Sequence, residues 1–254
     1  MGSGQTPLAR AAMTPPARAL LVIDQPVLAE VVKLALSHGH FQAEVAATAG
    51  EALAALAQRP PHLTIADVDL GQGLLLDRLA GPTPRDTRIP TIALTRRGNL
   101  KTKLAAFAWG VDDILTVPFS PEELLARVLV VMRRTYGEEV AFTPTIRLGE
   151  LEIDILNHHV RAGTSELHLT GLEQSLLYLF AANAGRVLTR DEILDALWGM
   201  DFVADSNVVD RHVRNLRIKL QNGWRRPRYI ATVPGRGYRF LPTTADEEDA
   251  ASPA

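Results

Sequence analysis

The 254-residue chain contains no cysteine, which excludes disulfides, thiolate zinc sites and cysteine redox sensing together. It also lacks any apolar run approaching the roughly 18 residues that a membrane span needs. The opening MGSGQTPLARAAMTPPAR has no continuous apolar stretch and does not read as a secretory signal. Residues 1–17 read instead as a disordered tail, with Met13 a candidate start and the Gly-Ser-Gly a candidate cloning remnant. A cytoplasmic location is the natural expectation. Excess charge is missing too: 27 basic against 29 acidic residues leave a net −2. What remains, 46% hydrophobic and 22% charged residues, is the composition of a globular protein long enough for two domains.

The near-neutral total hides a local imbalance. Arg211, Arg214, Arg217, Lys219, Arg225, Arg226, Arg228, Arg236 and Arg239 are opposed only by Asp205 and Asp210, giving the segment 205–242 a net charge of +7. The tail beyond it, 243–254, carries Asp246-Glu247-Glu248-Asp249. A concentrated cationic field is what phosphate-backbone binding requires, and it points to duplex DNA.

The first half alternates short apolar runs with helical patterns. ALLVID (19–24), EVAAT (44–48), HLTIAD (62–67), PTIALT (90–95) and DDILTV (112–117) are each followed by a helix-like stretch. Gly39 is placed to end the first helix, and LLLDRLAG (74–81) reads as the third. Five strand–helix pairs predict a doubly wound α/β fold with a five-stranded parallel sheet, whose chemistry sits at the carboxyl ends of the strands. Residues 135–144 lose periodicity and read as a linker.

The pattern then changes to an α+β domain. IRLGELEID, HHVRA and ELHLT alternate like a small antiparallel sheet. Thr170-x-x-Glu173 and Thr189-x-x-Glu192 are capping boxes that open two helices. A third helix spans about 207–221, and RYIATVPGRGYRF reads as two strands around a Gly-x-Gly turn. At 100° per residue, Val209, Val213, Leu216 and Leu220 lie within about 60° and form the core stripe of that third helix. Its opposite face carries Asn207, Arg211, Arg214 and Asn215, with Ile218 among them. Guanidinium and carboxamide groups suit guanine and adenine edges, and the Ile suits a thymine methyl. His212 and Arg217 flank this face as phosphate contacts, and Arg236 at the turn is aimed at a minor groove. Thr232 and Tyr238 complete the expected DNA-binding set. Sheet, three helices and terminal hairpin is the order of a winged helix-turn-helix.

With DSNVVDRHVRNLRIKL (205–220) and TVPGRGYRF (232–240), residues 18–242 resemble the OmpR/PhoB family of response regulators. The resemblance implies a receiver domain at 18–134 and a winged helix-turn-helix domain at 145–242. It also implies binding to tandem half-sites as a pair, and contact with RNA polymerase through about 199–206. Asp67 takes the family's phosphoacceptor position, Thr95 its hydroxyl position and Asp24 one of its acidic pocket positions. Mg²⁺ at Asp24 and Asp67, and a histidine kinase as phosphate donor, are the corresponding partners. This chain departs from the pattern: Gln25 replaces an acid, Val117-Pro118 replaces Lys-Pro, and Ile114 replaces the aromatic switch. Losing the ammonium removes a charge-assisted bond to phosphate, and losing an acid lowers the charge that holds a cation. The departures favour a receiver not driven by ordinary phosphorylation, and so no cofactor. The alternative is a conventional regulator phosphorylated on Asp67, with Asp69 a weaker candidate to replace the missing acid.

The family's dimer face, built from the fourth helix, fifth strand and fifth helix, maps onto Lys103, Leu104, Phe107, Asp112, Asp113, Glu123, Leu125 and Arg127. The resemblance pairs Lys103 with Glu123, and Asp112 or Asp113 with Arg127, across a homodimer. Nothing in the sequence marks an enzyme active site. His38, His40 and the His158–His159 pair lack neighbouring carboxylates and read as surface residues.

Overall fold

The computed structural model describes residues 16–39, 41–68, 70, 89–96, 100–137, 143, 145–155, 157, 159–199, 207–223 and 225–241. The expected third helix at 74–81, Asp69 and the loop 200–206 lie outside these residues.

The first domain runs β1 (Ala17–Val22), α1 (Pro26–Ser37), β2 (Phe41–Ala46), α2 (Ala49–Gln58), β3 (Leu63–Asp67), β4 (Thr91–Thr95), α3 (Leu100–Ala108), β5 (Asp113–Thr116) and α4 (Pro121–Tyr136). Its strands form one parallel sheet in the order β2-β1-β3-β4-β5. The central strands β3 (LTIAD) and β4 (TIALT) are buried at every position, as a sheet covered on both faces demands. Helix α1 starts with Pro26 in its first turn and buries Val27, Leu28, Val32, Ala35 and Leu36. Gly39 does not take the left-handed conformation expected of a terminating glycine. Its lack of a side chain answers a packing need instead, since a Cβ there would lie 2.9 Å from the Phe41 ring.

Because β1, β3 and β4 are neighbours, their carboxyl ends bring Asp24, Asp67 and Thr95 to one rim of the sheet. Val117-Pro118, at the end of β5, is a cis peptide.

The second domain opens with an antiparallel sheet, β6 (Thr145–Leu148), β7 (Leu151–Asp154), β8 (His159–Ala162) and β9 (Ser165–Leu167). Then come α5 (Gly171–Ala182), β10 (Val187–Leu188), α6 (Arg190–Trp198), α7 (Val208–Lys219), β11 (Ile230–Val233) and β12 (Gly237–Phe240). Both expected capping boxes are formed: the Thr170 and Thr189 hydroxyls accept from the Glu173 and Glu192 backbone N–H groups, and the glutamates bond back. The terminal strands pair in the order β10-β12-β11.

One apolar core runs through both domains. Helix α1 packs on α4 in the receiver and on α5 and α6 across the junction. There His38, read from the sequence as a surface residue, is only 1% exposed. Its Nδ1 lies 2.7 Å from the Thr143 carbonyl oxygen, and the Thr143 N–H donates to the His38 carbonyl at 2.7 Å. Its ring stacks on Tyr178 of α5, with centroids 6.3 Å apart. The end of α1, the linker and α5 are thereby fastened together.

Candidate nucleic-acid interface and receiver pocket

Helix α7 buries Val209, Val213, Leu216 and Leu220, the predicted core stripe. Its opposite side is open: Asn207, Arg211, Arg214 and Ile218 are exposed and Asn215 is half-buried. Asn207 stands at the helix N-cap, but its side chain makes no capping bond, which leaves the carboxamide available. The docked receiver covers none of these exposed groups.

Several basic residues of the +7 segment instead hold the scaffold. Arg217, expected to reach phosphate, donates from Nε and Nη2 to the Ile230 carbonyl at 3.2 and 3.0 Å, and from Nη2 to Thr232 Oγ1 at 2.8 Å. It ties α7 to β11, and desolvation lowers its pKa. Lys219 donates to Glu173 at 2.6 Å and to the His168 carbonyl at 2.8 Å. Arg228 is paired with Glu150. His212 packs on Trp198 at 5.4 Å between ring centroids, joining α7 to the end of α6.

Tyr238, also expected at DNA, is only 4% exposed. Its hydroxyl donates to Asp210 at 2.5 Å, and Asp210 accepts from Arg190 Nε at 2.8 Å. The Arg190 and Arg217 guanidinium groups lie 5.2 and 5.3 Å from the centre of the Tyr238 ring. Burial pushes the Tyr238 hydroxyl up to about 12, aided by its bond to Asp210. Desolvation acts to raise the Asp210 pKa, but the Tyr238 and Arg190 bonds outweigh it and hold the group low. The assignment of Tyr238 and Arg217 is corrected on this ground: Tyr238 falls on the packed face of its strand, and Arg217 turns from α7 onto the backbone of β11. Thr232 is exposed beside them.

The turn between β11 and β12 carries Arg236 into solvent, with Gly235 at φ 69°. Gly237, at φ 146°, is fixed by closeness: a Cβ there would meet the Leu188 carbonyl oxygen at 2.0 Å. Strand β10, too short to read from the sequence, therefore sets the seat of the wing.

In the receiver, Asp67 is 2% exposed at the end of β3. Beside it stands Arg96, one residue after Thr95, a cation that the sequence motifs do not single out. A single guanidinium nitrogen, Arg96 Nη2, lies 2.9 Å from Asp24 Oδ1 and 3.0 Å from Asp67 Oδ2. Gln25 and Val117, two of the departures from the family pattern, turn elsewhere. With Leu28, Phe119, Leu179 and Leu197 they line a mainly apolar crevice against α5 and α6. Mg²⁺ seeks six oxygen ligands at about 2.0–2.1 Å. Here two carboxylates face a guanidinium, and the described residues hold no group of three or more side chains suited to a metal. The site does not fit Mg²⁺.

On the expected dimer face, Leu104 and Phe107 of α3 are exposed, joined by Leu100 one turn earlier. Lys103 is half-buried and Glu123 exposed. Leu125 does not belong to this face: it is 1% exposed and packs into the core with Leu124 and Val128. The ion pair expected between subunits closes within the chain, where Arg127 binds Asp113 at 2.9 Å and Glu123 at 2.8 Å. Asp112 accepts the Thr91 N–H at 2.8 Å and so closes the edge of the sheet.

Residues 19–129 match the response regulator receiver domain, and residues 164–240 match the transcriptional regulatory protein C-terminal domain. The chain is 34% identical over 239 residues to the transcriptional regulatory protein TrcR of Mycobacterium tuberculosis, covering 94% of this chain and 92% of that one. It is 35% identical over 225 residues to the response regulator MprA of Mycobacterium sp. (strain KMS), covering 88% and 96%. Among solved structures, it is similar to the response regulator DrrB of Thermotoga maritima, an OmpR/PhoB homologue, at 28% identity and a TM-score of 0.40, over 89% of this chain and 99% of that one. The Klebsiella pneumoniae RstA DNA-binding domain in complex with the RstA box matches at 33% identity and a TM-score of 0.37, over 39% of this chain and 98% of that one. With a receiver followed by a winged helix that presents an open basic face, the chain belongs to the OmpR/PhoB family of DNA-binding transcriptional response regulators.

Proposed function

We propose that the protein binds tandem DNA half-sites as a receiver-paired dimer and does so without phosphorylation of Asp67. The observation that carries the DNA-reading part is the exposed face of α7, where Asn207, Arg211, Arg214 and Ile218 stand clear while Arg217, Lys219, Asp210 and Tyr238 hold the helix from behind. Rigid seating from the rear makes a base-reading face specific, because side chains must meet base edges in fixed register. Arg236 extends the contact into the adjacent minor groove, and phosphate contacts come from the exposed arginines around the hairpin.

Pairing uses the exposed Leu100–Leu104–Phe107 stripe, with Lys103 beside it. Exposed ion pairs contribute only about 0–1 kcal/mol each, so the apolar stripe supplies most of the affinity. RNA polymerase is engaged from the 199–206 segment. Two measurements test this reading. Sedimentation of unphosphorylated protein at micromolar concentration should show dimer, and footprinting should show two protected half-sites. Incubation with Mg²⁺ and a small phosphodonor should give no labile mass increase. An increase that is lost in Asp67→Asn would instead establish the conventional, kinase-driven regulator.

A further inference from the structure

We infer that Arg96 is a built-in replacement for the receiver's divalent cation, and that its guanidinium keeps the acidic pocket closed to metal. The inference extends the proposed phosphate independence and rests on that reading. A carboxylate as deeply buried as Asp67 needs a compensating charge, and a second carboxylate close by increases that need. In a receiver that takes up phosphate, a metal ion meets it. Here one nitrogen of Arg96 sits between the two acids, at 2.9 Å from Asp24 and 3.0 Å from Asp67. The counter-charge is thus supplied by a side chain of the receiver itself.

Two further placements support the same assignment. Gln25, where a second acid would add charge for a metal, lines the crevice that faces α5 and α6. Val117, where an ammonium would meet phosphate, lines that same crevice, and Pro118 Cδ would lie 3.4 Å from a Cβ on Gly199 at the end of α6. The positions that would complete a metal and phosphate site have become part of the seat of the DNA-binding domain. Arg96 closes what remains.

The test uses the full-length chain with Mg²⁺ as the probe. The thermal midpoint of wild type should not change between 0 and roughly 20 mM MgCl₂, because a ligand excluded from the native state gives no stabilisation. Arg96→Met keeps much of the stem but removes the guanidinium from both carboxylates. It should be less stable without metal, regain stability as Mg²⁺ is added, and bind Mg²⁺ at least tenfold more tightly than wild type by calorimetry. Sub-millimolar Mg²⁺ binding by wild type would overturn the inference, and does not depend on whether the variant folds. So would an Arg96→Met protein that folds but gains no affinity. A beryllofluoride–Mg²⁺ complex bound by wild type and lost in Arg96→Met would also overturn it, by showing that the guanidinium serves phosphate. Dimerisation and operator binding, measured on the same wild-type samples, separate this inference from the reading beneath it. Their absence would sink the proposed function while leaving the Mg²⁺ result intact.

Discussion

The two domains treat their arginines in opposite ways. In the winged helix, Arg190 and Arg217 are held against Tyr238, Asp210 and backbone carbonyls, and that support leaves Arg211 and Arg214 pointing into solvent. In the receiver, Arg96 is turned inward onto the carboxylates of Asp24 and Asp67. One domain keeps its charge available for an outside partner. The other satisfies its charge internally. The difference is one of placement: the exposed arginines of α7 face solvent, whereas the guanidinium of Arg96 meets two carboxylates of its own chain.

The comparison breaks most severely at Gly237. In Gly237→Ala the new Cβ meets a backbone carbonyl at 2.0 Å, at a φ that L residues avoid. The expected cost is roughly 3–5 kcal/mol, at the upper end for single substitutions. Thermal denaturation should show it, together with loss of DNA binding. Arg214→Ala sharpens the contrast from the other side. It should weaken specific operator binding by about 1–3 kcal/mol while the melting temperature stays unchanged. An unchanged operator affinity would mean that the reading face has been assigned to the wrong residues.

The junction between the domains supplies a smaller, pH-dependent effect. Burial lowers the His38 pKa below its ordinary 6.5, against the opposing influence of the Thr143 carbonyl, Asp154 and Glu122. The released histidine therefore takes up a proton more readily than the docked one. Docking stability is full above pH 6.5 and declines as pH falls through that value. Limited proteolysis of the linker between pH 7.5 and 5.5 should accelerate toward acid, and His38→Gln should flatten the profile. The smallest effect is expected from Arg127→Ala. Its bonds to Asp113 and Glu123 are surface pairs within one chain, so the change in stability should stay within about 1 kcal/mol.

Much of this molecule was legible because its signals are local. The capping boxes at Thr170 and Thr189 lie within four-residue windows, and the α7 stripe within twelve residues. The parallel sheet followed from apolar runs alternating with helical ones. Several departures from expectation involve partners distant in sequence. Arg96 meets Asp24 across 72 positions, and His38 meets Thr143 across 105. Tyr238 belongs to the expected DNA-binding set, yet its strand face turns it onto Asp210, 28 positions earlier. Leu125 followed the family's dimer face in a helix whose own apolar stripe, Leu124, Leu125, Val128, Val131 and Met132, buries it. Strand β10 has two residues, too few for a period to show.

The most direct test is the affinity of wild type and Asp67→Asn for a footprinted operator, each measured with and without Mg²⁺ and a small phosphodonor. A receiver closed by Arg96 predicts the same Kd, within twofold, in all four conditions, and dimer in each. Tightening of tenfold or more in wild type with phosphodonor, abolished in Asp67→Asn, would contradict it.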